Sequence, residues 1–168
     1  KIAVLFTCFN RKAQTLSSIK CLYSSLEKYN SMAKDKICVT IYLTNDGCTD
    51  GTAEAIKAVY PKKSIKIFDG DGNLYWAGGM RLAWNEALKR HDDWDFYLLI
   101  NDDTDLFDDC FEELVDTHVY CFQKNGEAGI YSGVTCAKTN NKKTTYGGNV
   151  ITNRFLGNTH RLSPSGTP

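Results

Sequence analysis

The residues with the most chemistry to offer lie together: Asn101-Asp102-Asp103-Thr104-Asp105 follows directly on the apolar run Tyr97-Leu98-Leu99-Ile100. A strand covered on both faces takes apolar side chains almost everywhere, so acids at its carboxyl end do not serve the core. Asp102, Asp103 and Asp105 raise one another's proton affinity, a cost that a hard divalent ion with oxygen ligands removes. The same three acids also suit a plain acidic turn that caps a helix starting near Asp108.

Three more segments bear on that cluster. Asn45-Asp46-Gly47-Cys48-Thr49-Asp50-Gly51-Thr52 runs from a strand into a helix. Its glycines permit a tight turn, and Asp50 or Thr52 can cap the helix. That leaves Asn45 and Asp46, and an Asp at a strand end can accept from the N–H of a uracil or thymine base, or simply belong to the turn. In Trp76-Ala77-Gly78-Gly79-Met80-Arg81, paired glycines at a helix start let a ligand approach the backbone, and Arg81 can face a phosphate or plain solvent. After the first strand, Thr7-Cys8-Phe9-Asn10-Arg11 carries neither a dinucleotide fingerprint nor a Walker loop, so phosphates need a metal or side chains. An EF-hand counted from Asn101 fails because Leu106 takes the position reserved for glycine, and one counted from Asp69 fails at Leu74.

The elements that must place these residues alternate. Strands are expected at residues 2–7, 37–43, 64–68 and 97–100, and helices at 13–29, 52–59, 79–91 and 108–124, with further strands at 129–136 and 144–150. Pro61 stops the second helix. Alternation of this kind implies an α/β domain on a mostly parallel, buried sheet, and ligands of such sheets bind beyond the strands' carboxyl ends. That rule gathers residues 7–11, 45–50, 69–73 and 101–105 on one rim.

Composition narrows the partners. The 168 residues fit a single domain, and 20 basic against 20 acidic side chains leave no net field for nucleic acid or a membrane surface. Seven cysteines without a C-x-x-C pair read as reduced core residues of a cytoplasmic protein, with neither a zinc site nor a disulfide framework. Cys48, in a polar turn, is the one expected to be exposed and reactive. No stretch is long enough to span a membrane. The start on a strand at Lys1 and the tail of residues 163–168 suggest a fragment of a longer protein.

Taken together, Thr7, Asn10 and Arg11, the 45–52 segment, and Asn101-Asp102-Asp103-Thr104 resemble the family 2 glycosyltransferases of GT-A fold. The second segment matches their D-D-G-S-x-D-G-T, the third their D-x-D-type element. Residues 72–79 look most like the rhamnosyltransferase-like branch. The resemblance covers about residues 1–148, with Asn45 standing where the family has Asp and Asn101 where some members have Asp.

The resemblance implies a UDP- or dTDP-sugar donor and a saccharide or lipid-linked saccharide acceptor. Thr7, Asn10 and Arg11 would line the nucleotide pocket, with Asn45 and Asp46 toward the base and Gly78 and Gly79 beside the ligand. Asp102 and Asp103 would lie near ribose and pyrophosphate, with Asp103 and Asp105 as ligands of Mg²⁺ or Mn²⁺. It implies inverting transfer, the metal stabilising the departing diphosphate and a general base activating the acceptor. In the family that base is a carboxylate downstream, which nothing after Gly148 matches; His160 is a poor substitute. The expectation is therefore a donor-binding half without its base, cytoplasmic or peripheral at the inner membrane face. A non-catalytic nucleotide or metal module on the same fold is the competing reading. A sugar-phosphate nucleotidylyltransferase would need a Gly-rich basic loop that residues 8–10 do not supply.

Overall fold

The computed structural model describes residues 1–137, 140–146, 149–153 and 158–161, with side chains through residue 137. The chain divides into two compact units, Lys1–Phe111 and Glu112–Pro168.

The first unit is built on β1 (Ile2–Cys8), whose seven residues are all buried. β1 pairs in parallel with β2 (Val39–Asp46) on one side and β4 (Phe96–Leu99) on the other, and β2 pairs in parallel with β3 (Ile65–Gly70). The order β3-β2-β1-β4 makes an all-parallel sheet, as the alternation of elements required. Between the strands run α1 (Lys12–Met32), α2 (Thr52–Val59) and α3 (Tyr75–Leu88), with a short 3₁₀ turn at His91–Asp93 before β4.

Strand periodicity sends alternate side chains of β1 to different cores. Ile2, Val4, Phe6 and Cys8 pack with Ile19, Leu22, Tyr23 and Leu26 of α1, Ile56 of α2, Ile41, Leu43, Ile100 and Phe111. Ala3 and Leu5 pack with Tyr42 of β2 and with Met80, Ala83 and Ala87 of α3. The second face is lined by small residues: Gly79, Ala83 and Ala87 recur every fourth position, so α3 presents a smooth ridge to the sheet. A Cβ on Gly79 would stand 2.0 Å from the Thr7 hydroxyl, which measures how closely helix and strand approach.

α1 carries three buried hydroxyl residues in an apolar stripe, Thr15, Ser18 and Ser25. Each donates to a carbonyl: Thr15 to Arg11 at 2.9 Å, Ser18 to Thr104 at 2.5 Å and Ser25 to Asp108 at 3.2 Å. Satisfied in this way, they cost the core little and tie the segment after β4 to the helix.

In the second unit, α4 (Cys110–Asn125) continues from Phe111, and two antiparallel pairs follow: β5 (Thr135–Ala137) with β6 (Asn140–Tyr146), and β7 (Asn149–Asn153) with β8 (Asn158–Arg161). The strand expected at 129–136 is cut to its last residues because the Tyr131 hydroxyl accepts from the Gly129 amide at 3.0 Å and folds that stretch on itself. The strand expected at 144–150 includes residues 147 and 148, which lie outside the described residues, as does the side chain of His160. Among the described residues no helix is long and apolar enough to cross a membrane.

Candidate functional site

Parallel strands end together, and here four strand-to-loop junctions meet at the carboxyl edge of the sheet, laced to one another by side chains. Asn10, at φ +51° in the left-handed region that Asn tolerates, accepts from the Thr49 amide at 2.8 Å. Asp50 accepts from the Lys12 amide at the start of α1 at 2.9 Å and from the Thr52 amide at the start of α2 at 3.1 Å. These bonds stabilise its ionised form and hold its carboxyl below the usual range, the Thr52 hydroxyl contributing most. Gly51 occupies the N-cap position itself at φ +76°, so the expected Asp50 cap acts from one residue earlier.

Asp46 holds the next junction. Buried to 3% exposure, its carboxylate accepts from three amides: Gly72 at 2.9 Å, Leu74 at 3.1 Å and Tyr75 at 3.1 Å. The Asp46 carboxylate thus fixes the 72–75 turn and the first turn of α3, a turn role that the sequence allowed beside contact with a base. This explains why α3 starts at Tyr75 and not at Gly79, since its opening amides are satisfied from β2. Tyr75 has φ +52°, strained for a bulky residue, and its ring is 79% exposed on the rim. Beside Asp46, the Asn45 amide group donates to Asp69 at 2.9 Å, and its own side-chain oxygen is buried without a partner among the described residues.

The glycines expected beside a ligand have a packing reason. The missing Cβ of Gly79 makes room for Thr7, and the Gly79 carbonyl accepts from the Thr44 hydroxyl at 2.8 Å. Gly78 faces Leu74. Arg81 is exposed, and Trp76, half exposed on the rim, donates its indole N–H to Asn101 at 2.7 Å.

At the end of β4 the acids separate into two groups. The Arg11 guanidinium reaches Asp102 at 3.3 Å and Asp103 at 3.0 Å, bringing both carboxylates to one cation. Asp105 turns to α1 and accepts from the Ser17 hydroxyl at 3.0 Å. The expectation of three mutually repelling acids is thereby modified, and no three His, Cys, Asp or Glu side chains converge on a metal position among the described residues. Asp102 is 8% exposed, and its carboxyl is raised above the usual range mainly by burial. Arg11 opposes that shift and Asp103 adds to it.

The donor set still suits one kind of metal. Mg²⁺ and Mn²⁺ bind through one or two carboxylates together with water and substrate phosphates, not through an all-protein cage. Asp102 and Asp103, which converge on the Arg11 guanidinium, are two carboxylates of the type that would fit such a site.

Comparison with known proteins agrees with this architecture. No family model and no curated protein match the chain. The crystal structure of S. aureus TarS residues 1–349 superimposes with a TM-score of 0.54 at 16% identity, covering 71% of this chain and 33% of that one. The fold is GT-A. The parallel sheet and its flanking helices thus share the fold of that structure, and the chain spans about a third of its length.

The serines of α1 were the positioning residues that sequence reasoning missed. Their signal is there in retrospect: Ser18 and Ser25 stand seven residues apart in an otherwise apolar helical stripe.

Proposed function

We propose that this chain is the donor-binding part of a glycosyltransferase that takes a UDP- or dTDP-linked sugar and passes it, with inversion, to a saccharide or lipid-linked saccharide hydroxyl in polysaccharide synthesis. One observation carries the reading: two carboxylates at the end of β4, on a GT-A scaffold, converge on a single cation. Asp103, with Asp102, would hold Mg²⁺ or Mn²⁺, which when bound supplies a Lewis acid for the departing diphosphate. Arg11, already beside both acids, is placed to share the phosphates' charge. Thr7 near the end of β1 and Asn10 in the loop after it would face the nucleotide, and the buried, unpartnered oxygen of Asn45 would accept from a base N–H once its side chain turns outward. The exposed rings of Phe9, Tyr75 and Trp76 give the rim apolar faces on which a base or sugar can stack.

No carboxylate in the described residues is assigned as the general base, and the position of synthesis is cytoplasmic or at the inner membrane face. Melting with UDP and dTDP, with and without Mn²⁺, tests the proposal. At a hundredfold excess over Kd a ligand adds about 2.7 kcal/mol, which for a protein of this size raises Tm by roughly 5–11 °C. The expected shift requires nucleotide and metal together and disappears in Asp103→Ala. Nucleotides that leave Tm unchanged in the presence of Mn²⁺ would sink it.

A further inference from the structure

Two thiols that the sugar-transfer reading does not use meet just beneath the rim. Cys8, the last residue of β1, is buried; Cys48, in the turn after β2, is half-buried, and their sulfurs lie 3.8 Å apart. Cys48 was expected to be exposed and reactive in a polar turn. It instead packs against the first core and receives the Asn10 amide on its sulfur at 3.2 Å.

We propose that Cys8 and Cys48 are a modification site, closing to a reversible disulfide by exchange with a small-molecule disulfide of the glutathione class. The sulfurs are in contact already, so a bond of about 2.05 Å needs less than about 2 Å of relative motion, within reach of side-chain rotation and a small shift of the turn. The two thiols divide the work. Burial, and next the neighbouring Cys48, push the Cys8 thiol well above the usual range, so it stays protonated. Cys48 is the more accessible, and its sulfur sits in the polar turn with the Asn10 N–H aimed at it.

Cys48 thiolate therefore attacks glutathione disulfide, forming a Cys48–glutathione mixed disulfide and releasing one glutathione thiolate. Cys8 then attacks the Cys48 sulfur and gives up its proton to the departing second glutathione. Two cysteine sulfurs are oxidised, one glutathione disulfide is reduced to two thiols, and excess glutathione reverses both steps. The bond would tie the end of β1, two residues before Asn10 and three before Arg11, to the turn that Asn10 already holds through Thr49. Redox state would thereby set how freely those two rim residues move.

The test uses the intact protein equilibrated in glutathione buffers of graded reduced-to-oxidised ratio, quenched in acid, alkylated and mapped by mass. The expected product is a peptide pair joined through Cys8 and Cys48, lighter by two hydrogens, that dithiothreitol separates. Cys8→Ala should stop at a stable glutathione adduct on Cys48, and Cys48→Ser should take up no glutathione at Cys8. Absence of the joined pair from the wild-type protein at every ratio overturns the proposal, and that measurement needs no variant to fold. Glutathione uptake by Cys8 in Cys48→Ser overturns the assigned order of attack. The readout is covalent, so it stands or falls separately from nucleotide binding.

Discussion

Replacing Gly79 with alanine distinguishes a glycine kept for packing from one kept for a ligand. The added methyl would lie 2.0 Å from Thr7 Oγ1, 2.7 Å from its Cβ and 3.3 Å from its Cγ2. Ordinary contact begins near 3.4 Å, so α3 must retreat from β1 by about 1.5 Å or the strand must give. Overpacking of this kind costs about 1–3 kcal/mol. Retreat also stretches the Thr44-to-Gly79 bond of 2.8 Å, worth about 1 kcal/mol. Alanine returns about 1 kcal/mol through helix propensity, which leaves a net loss of about 1–3 kcal/mol. That corresponds to a fall in Tm of roughly 2–12 °C for a chain of this size. Gly78 is the control: its nearest neighbour to an added methyl is Leu74 Cβ at 3.1 Å, and the propensity gain of about 1 kcal/mol offsets the mild crowding. Thermal and urea melts of Gly79→Ala, Gly78→Ala, Thr7→Ala and the Gly79→Ala/Thr7→Ala pair complete the assay. Thr7→Ala removes the hydroxyl and methyl but leaves Cβ at 2.7 Å, so rescue is partial, with a coupling of about 1 kcal/mol. If Gly79→Ala melts like Gly78→Ala while nucleotide binding alone is lost, the packing argument is refuted and close approach of a ligand is the reason for the glycine.

Asp46→Ala removes the acceptor of three amides; at about 1 kcal/mol apiece for loop amides that can partly rehydrate, the loss is about 3 kcal/mol. Limited proteolysis should show new cleavage near Tyr75, and a wild-type melt would contradict the anchoring role. Asp102 gives a pH signature. Its carboxyl is raised in the folded state, so its contribution is present in full below the unfolded value of about 4 and is lost as pH rises through the folded one. Asp102→Asn escapes that loss, so its stability relative to wild type should climb between about pH 4 and pH 7 in urea melts. A relative stability that is flat or falls over that range would contradict burial as the dominant cause.

How much of this was readable in the residues depends on whether the signal is local. The four strands of the parallel sheet and α2 were legible because period and punctuation are local properties: residues 52–59 are helical as expected, between Gly51 and Pro61. The start of α3 was not, because its cap is Asp46, more than twenty-five residues upstream, so no capping residue adjoins Tyr75. The rim followed from the strand-end rule, which needs only the alternation of elements. The pairing within it did not. That Asp102 and Asp103 share Arg11 while Asp105 takes Ser17 depends on the angle at which α1 crosses the sheet edge. Likewise Cys8 and Cys48 are forty residues apart and become neighbours only through the parallel register of Cys8 with Asn45.

The central place of β1 carries a consequence for synthesis. Its neighbour on one side starts at Val39, but the other starts at Phe96. A ribosome adding about 5–20 residues per second leaves that flank uncovered for roughly 4–18 s, while Ile2, Ala3, Val4 and Leu5 have nothing permanent to pair with along their open edge. Such a wait favours capture by chaperones or by other nascent chains over spontaneous closure. Yield on expression should accordingly respond to translation speed across the codons for residues 8–96 more than to the melting point of the finished protein.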